Sequence, residues 1–153
     1  MVRYFRHGVK VNSVNFVPHV MKTSKIVVTS YEEKVISGIL TNPYFGEART
    51  FKGAIQLLFL IEQLQNELEY PEETTQTRTF HKVKCLKPEI YEPPPEWEET
   101  ALATFRISIY FRQNTTWQGS IFWEEQESAA NFRSVFELIK LIDSVFASQT
   151  ATK

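Results

Sequence analysis

The sequence predicts an α+β fold: an antiparallel sheet with two helices on one face, built from two tandem ββα repeats related by pseudo-twofold symmetry. Strand signals come in pairs, at 25–31 and 34–40 and again at 101–112 and 116–123. Each pair precedes a stretch with apolar residues at helical spacing, 51–68 and 132–146. The third observation is internal repetition. A shift of 81 residues (119 − 38 and 132 − 51) sets Gly38 on Gly119, Ala48 on Ala129 and Phe51 on Phe132. It also sets Leu57, Leu60 and Ile61 on Leu138, Leu141 and Ile142 without a gap. A unit this long reads as a duplicated half-domain rather than a solenoid repeat. The repeats cover about 24–68 and 105–147 within a single domain, 1–153, joined by a Pro-rich linker at 87–99.

Composition narrows the function classes. With 153 residues, 42% of them apolar, the chain can bury one sizeable core. Its net charge of −1 gives no bulk attraction to nucleic acid or to an anionic membrane. Aromatic residues reach 14%, enough to fill a core with rings and leave some for a contact surface. The single cysteine, Cys85, excludes an internal disulfide and any multi-thiolate metal site, and it fits a reducing compartment. The start, Met1 to Gly8, has no apolar core of signal-peptide length, and the longest apolar run, 57–61, is far short of a membrane span. A soluble, cytoplasmic protein is expected.

Taken in order, residues 9–17 read as a strand with a bulge near Asn12-Ser13, stopped by Pro18. Residues 25–31 and 34–40 are rich in β-branched side chains and form a hairpin about Glu32-Glu33. Asn42-Pro43 and Gly46 mark a loop. Thr50 then caps a helix over 51–68, whose stripe Ala54, Leu57, Leu58, Ile61, Leu64, Leu68 is widened by Ile55, Phe59 and Leu60. This helix is expected to be the more buried of the two. Residues 71–79 are a polar loop and 80–86 a short strand. The run Pro93-Pro94-Pro95 favours an extended spacer and forbids helix or central strand.

The clearest strand is 101–112, with Phe105, Ile107, Ile109 and Phe111 on one face. Its partner, 116–123, sets Trp117, Gly119, Ile121 and Trp123 on one side. A two-residue turn at Asn114-Thr115 would put Phe111 opposite Gln118 and mix the faces. A five-residue loop, 112–116, instead pairs Phe111 with Trp117 and Ile107 with Ile121, and is preferred on that ground. Gly119 then lies opposite Ile109, leaving room for a ring to pack across the sheet. Asn131 is the cap candidate of the second helix, 132–146, and the polar tail from Ser148 is expected to fray.

No catalytic constellation is legible. His7, His19 and His81 are scattered, and His81 with Cys85 reads as one face of a strand rather than a nucleophile pair. Glutamates cluster at 32–33, 96–99 and 124–127; the last group suits the start of the second helix and is not duplicated in the first half. There is no glycine-rich phosphate loop and no His-Glu-x-x-His. The expectation is no cofactor, no metal and no enzyme, with a reaction built on His81 or Cys85 as the last of three classes.

The segment Arg112-Gln-Asn-Thr-Thr-Trp-Gln-Gly119 and the helix Phe132-Arg-Ser-Val-Phe-Glu-Leu resemble a group of small uncharacterised proteins of anaerobic Gram-positive bacteria. These carry a similar Arg-Gln-Asn-x-x-Trp-Gln-Gly strand and Phe-Arg-Ser-x-x-Glu-Leu helix. The segments Ser30-Tyr31, Asn42-Pro43-Tyr44-Phe45 and Gln56 to Glu62 are also similar. The resemblance implies no activity, site or ligand.

The leading expectation is a non-enzymatic module that binds another protein, such as a small inhibitor or accessory protein of a bacterial mobile element or phage, an inhibitor of a nuclease defence system being one example. On the register above, Arg106, Tyr110, Arg112, Gln118 and Phe122 project together, away from the helices. Two guanidiniums among rings suit a protein hot spot. They also suit stacking on bases, so a nucleic-acid binder is the alternative class. The corresponding face of the first half (Val27, Thr29, Tyr31, Ser37, Ile39) lacks the arginines. Homodimerisation through an unpaired edge strand is a further use of such a sheet.

Overall fold

The computed structural model describes residues 17–81 and 99–150. A 3-10 turn over His19–Lys22 leads into β1 (Thr23–Glu32), β2 (Val35–Thr41), β3 (Arg49–Lys52) and α1 (Ala54–Leu68). The second half runs through β4 (Ala103–Phe111), β5 (Gln118–Trp123), a 3-10 turn over Glu124–Gln126, β6 (Ser128–Phe132) and α2 (Val135–Thr150). All six strands form one antiparallel sheet in the order β3-β2-β1-β4-β5-β6. The fold is α+β, with an antiparallel sheet and two helices. Among the described residues no helix is long and apolar enough to cross a membrane. The strand expected at 9–17 and the linker at 87–99 lie outside the described residues except for Val17 and Glu99, and so do His7 and Cys85. Of the strand expected at 80–86 only Phe80 and His81 are described, and neither is in a strand.

Strands β3 and β6 correct the sequence reading, which made Thr50 and Asn131 helix caps and Phe51 and Phe132 the first helical residues. Instead each phenylalanine sits on a short edge strand opposite a glycine, Phe51 across from Gly38 and Phe132 across from Gly119. The glycines explain the placement. A Cβ on Gly38 would lie 2.0 Å from the Val27 carbonyl oxygen, and one on Gly119 would lie 2.0 Å from that of Ser108 and 3.0 Å from Cζ of Phe132. The Phe132 ring therefore fills the space that a side chain would need. Each helix starts three residues later than expected, at Ala54 and at Val135. At both starts a side chain four residues on accepts a backbone N–H, Gln56 Oε1 from Lys52 (2.7 Å) and Glu137 Oε1 from Arg133 (3.0 Å). Ser134 Oγ adds a cap by accepting from the Glu137 N–H. Helix α2 runs through Thr150, past the point where fraying was expected.

Two hairpins hold the sheet's centre. Each closes on two residues with positive φ, Glu33 and Lys34 (51° and 66°) and Asn114 and Thr115 (57° and 58°), the backbone sense that matches strand twist. In the second hairpin Ile107 faces Ile121 and Ile109 faces Gly119, as the apolar pattern demands. Beyond that point the five-residue loop is wrong. The turn is at Asn114-Thr115 and Phe111 faces Gln118, because a bulge between Ile109 and Phe111 absorbs the mismatch. β1 carries a bulge between Val28 and Ser30. One inserted residue reverses the alternation that follows it.

One apolar cluster lies between the sheet and the helices, with Ile26, Leu40, Phe51, Leu57, Phe105, Phe132 and Leu138 almost fully buried. At about 1.5–3 kcal/mol per large side chain, as an upper bound, these residues dominate stability. Helix α1 is less buried than its composition predicts. Ile55 and Phe59 are 69% and 66% exposed: its apolar stripe is wider than the side the sheet covers.

Candidate functional site

The site residues expected from sequence lie on or near the sheet face turned away from the helices. Along β4 that face carries Thr104, Arg106 and Ser108; along β5 it carries Ser120 and Phe122. Cross-strand pairing builds two rows. One is Lys25, Arg106 and Phe122; the other is Thr23, Ser108 and Ser120. The second row is a chain of hydroxyls, with Thr23 Oγ1 2.8 Å from Ser108 Oγ, and Tyr110 OH 2.9 Å from Ser120 Oγ. Arg106 does not reach into solvent unpaired: its Nε donates to Glu124 Oε1. The acidic run read as the start of the second helix is thus bound to β4. Glu124 holds Arg106, and Glu125 Oε2 accepts the Thr104 N–H at 2.9 Å.

Of the five expected residues, Arg106, Tyr110 and Phe122 share this face. Gln118 borders it but is occupied with the hairpin. Its Oε1 accepts the Gln113 N–H at 3.0 Å, and its Nε2 donates to the carbonyls of Gln113 (2.9 Å) and Arg133 (3.3 Å). Arg112 is on the other side, only 6% exposed. The bulge turns it inward, where Nε donates to the Pro71 carbonyl at 2.8 Å and Nη1 to Asn66 Oδ1 at 2.6 Å. Burial lowers its pKa, and the charges of Glu73 and Glu62 act in the opposite sense. Its own carbonyl receives the N–H and the hydroxyl of Thr74, which pins the segment after α1 to the end of β4.

Phe111 takes the outward place expected for Arg112. It is 56% exposed beside Tyr110 at 48%. The signal that could have revealed it was the conflict between the Asn114-Thr115 turn and strict alternation, which a bulge resolves.

In the first half the same sheet face differs more than expected. Val27 and Ile39 are buried, and the β1 bulge turns Tyr31 to the helix side. There its ring stacks on Phe146 and its hydroxyl donates to Asp143. Lys34 Nζ meets the same carboxylate at 2.7 Å. Burial, then the hydrogen bond and charge of Asp143, push the Tyr31 phenol up to about 12.

His19 and His81 are exposed, and the described residues hold no group of three His, Cys, Asp or Glu side chains placed to bind a metal. One cavity contains an unusual polar group. Gln65 of α1 is buried with both amide atoms unpaired, in a space lined also by Met21, Ser24, Leu68, Ile107 and Ile109. Its volume is about 20 Å³. That suits a water molecule, whereas substrate clefts run to several hundred Å³. No protein-family model, curated protein or solved structure matches the chain.

Proposed function

We propose that the protein is a non-enzymatic module that binds another protein through the outward face of β4 and β5. The observation that carries this reading is the bulge at Tyr110. It leaves Tyr110 and Phe111 exposed side by side, withdraws Arg112, and leaves Arg106 already paired with Glu124. Two adjacent rings, a hydroxyl row and one carboxylate-paired guanidinium match the aromatic and arginine anchors of protein interfaces. A nucleic-acid binder needs cations open to phosphates, and this face has lost one of the two it was expected to offer. Ile55 and Phe59 on α1 offer a second exposed apolar patch, without the tyrosine, arginine and hydroxyl groups that confer orientation. The test is affinity capture from a bacterial lysate with and without nuclease. One stoichiometric protein that survives nuclease and is lost with Tyr110→Ala/Phe111→Ser supports the reading. Recovery of nucleic acid alone would sink it.

We also infer that the chain is a tandem duplication, of a βββα unit rather than the ββα unit read from sequence. Its support is the recurrence of pairings at the 81-residue shift. Val28 faces Gly38 as Ile109 faces Gly119, and Gly38 faces Phe51 as Gly119 faces Phe132. The bulges, the positive-φ turn residues and the first helical brackets, Lys52 with Gln56 and Arg133 with Glu137, recur at the same shift. An experimental structure in which residues 26–64 fail to superpose on 107–145 would refute it.

A further inference from the structure

Among the described residues the sheet has two edge strands, β3 and β6, and they differ in how well they are protected. Strand β6 is Ser128-Ala-Ala-Asn-Phe132, with Ser128, Ala129 and Asn131 exposed. Apart from its shortness it lacks the usual protections of an edge: the strand contains no lysine, no proline and no bulge. A full-length antiparallel pairing of β6 with a second β6 centres on Ala130. Ser128 then meets Phe132 of the copy and Ala129 meets Asn131. The residues that flank the strand carry opposite charges, Glu127 before it and Arg133 after it, so antiparallel pairing brings the acidic end of one copy to the basic end of the other. Such a twofold contact makes each charge pair twice. Strand β3, Arg49-Thr-Phe-Lys52, is shorter still and carries a lysine and an arginine, the charged side chains that protect an edge.

We propose that the protein forms a twofold homodimer by antiparallel pairing of β6 with β6, continuing the sheet across two subunits and placing Glu127 of each beside Arg133 of the other. The occupant is a second copy because the charge pattern at this edge is complementary to itself. Arg133 is exposed, and among the described residues its guanidinium is held only by Glu137, one helical turn on, so it can be shared across the contact. The backbone supplies the affinity and the flanking charges fix the register.

Sedimentation equilibrium of the full chain from about 1 to 200 µM tests this, with two variants chosen on the exposed flanks so that folding is preserved. The wild type is expected to show a monomer–dimer equilibrium. Arg133→Glu, which sets Glu127 against a second carboxylate, weakens it at least tenfold. The double exchange Glu127→Arg/Arg133→Glu restores it. Circular dichroism confirms that each variant is folded. A wild type that stays monomeric at 200 µM overturns the proposal. So does a dimer that Arg133→Glu leaves unchanged, or one that the double exchange does not restore. Ala129→Lys, which adds a cation to the strand itself, gives an independent check and should also dissociate the dimer.

Discussion

Tyr31 of β1 lies flat against Phe146 of α2, with ring centroids 4.3 Å apart and planes 7° from parallel. The contact ties the first half of the sheet to the second helix, and the phenol hydroxyl donates to Asp143 at its rim. Because the folded pKa of Tyr31 is raised from 10 to about 12, its contribution is complete below pH 10 and is lost as pH rises toward 12. The Asp143 carboxyl is held low, first by Lys34 and then by Tyr31, so its contribution is present at neutral pH and lost on acidification below the usual carboxylate range. Denaturant midpoints measured from pH 8 to 12 should fall for the wild type across that alkaline window. Tyr31→Phe, which keeps the stack, should flatten that fall; an unchanged slope would mean that the hydroxyl is not held.

Arg112 is a buried clamp between β4, Asn66 and the Pro71 carbonyl. Arg112→Leu removes two charge-assisted hydrogen bonds and leaves their acceptors stranded. It should cost about 2–4 kcal/mol in urea unfolding. Arg106→Ala breaks only an exposed pair and should cost less than about 1 kcal/mol. Equal effects at the two sites would contradict the bulge.

Gly38→Ala and Gly119→Ala both drive a Cβ to 2.0 Å from backbone oxygen. Each is expected to destabilise by about 1–3 kcal/mol, the cost of forcing strands apart in a packed sheet. Thermal melts of the two variants provide the check. A substitution that leaves either melt unshifted would show that the strands are more widely spaced than described.

Gln65 offers a prediction of the opposite sign. Its amide is buried among apolar side chains with neither polar atom paired, so Gln65→Leu removes a desolvation penalty at nearly constant volume. Stability should rise by about 1 kcal/mol. A clear loss would indicate that the amide is satisfied by a tightly held water in the adjoining cavity.

The parts of this fold that the sequence revealed are those governed by period alone. Residues Phe105, Ile107 and Ile109 alternate, Ile121 and Gly119 answer them across the hairpin, and both helices carry their stripes. The parts it hid depend on single inserted residues or very short segments. Alternation continues on paper through Thr29 and Tyr110, so it does not mark the bulges that send Tyr31 and Arg112 inward and Phe111 outward; the second shows only as a conflict with the Asn114-Thr115 turn. Strands of four and five residues, β3 and β6, are too short for a period to show, and their phenylalanines also fit a helix start. The candidate face was legible in Arg106, Tyr110 and Phe122. It was misread at Arg112 and incomplete without Phe111.

Docking of a partner protein on the outward face of β4 and β5 is read out by a paired measurement of fold and capture. The variant Tyr110→Ala/Phe111→Ser changes two side chains that are about half exposed, so its melting should stay close to that of the parent. Captured protein partner should drop at least tenfold, with Ile55→Ser/Phe59→Ser on α1 as a control that leaves capture intact. Undiminished capture by a folded Tyr110→Ala/Phe111→Ser variant would contradict the account, above all if the α1 variant abolishes it.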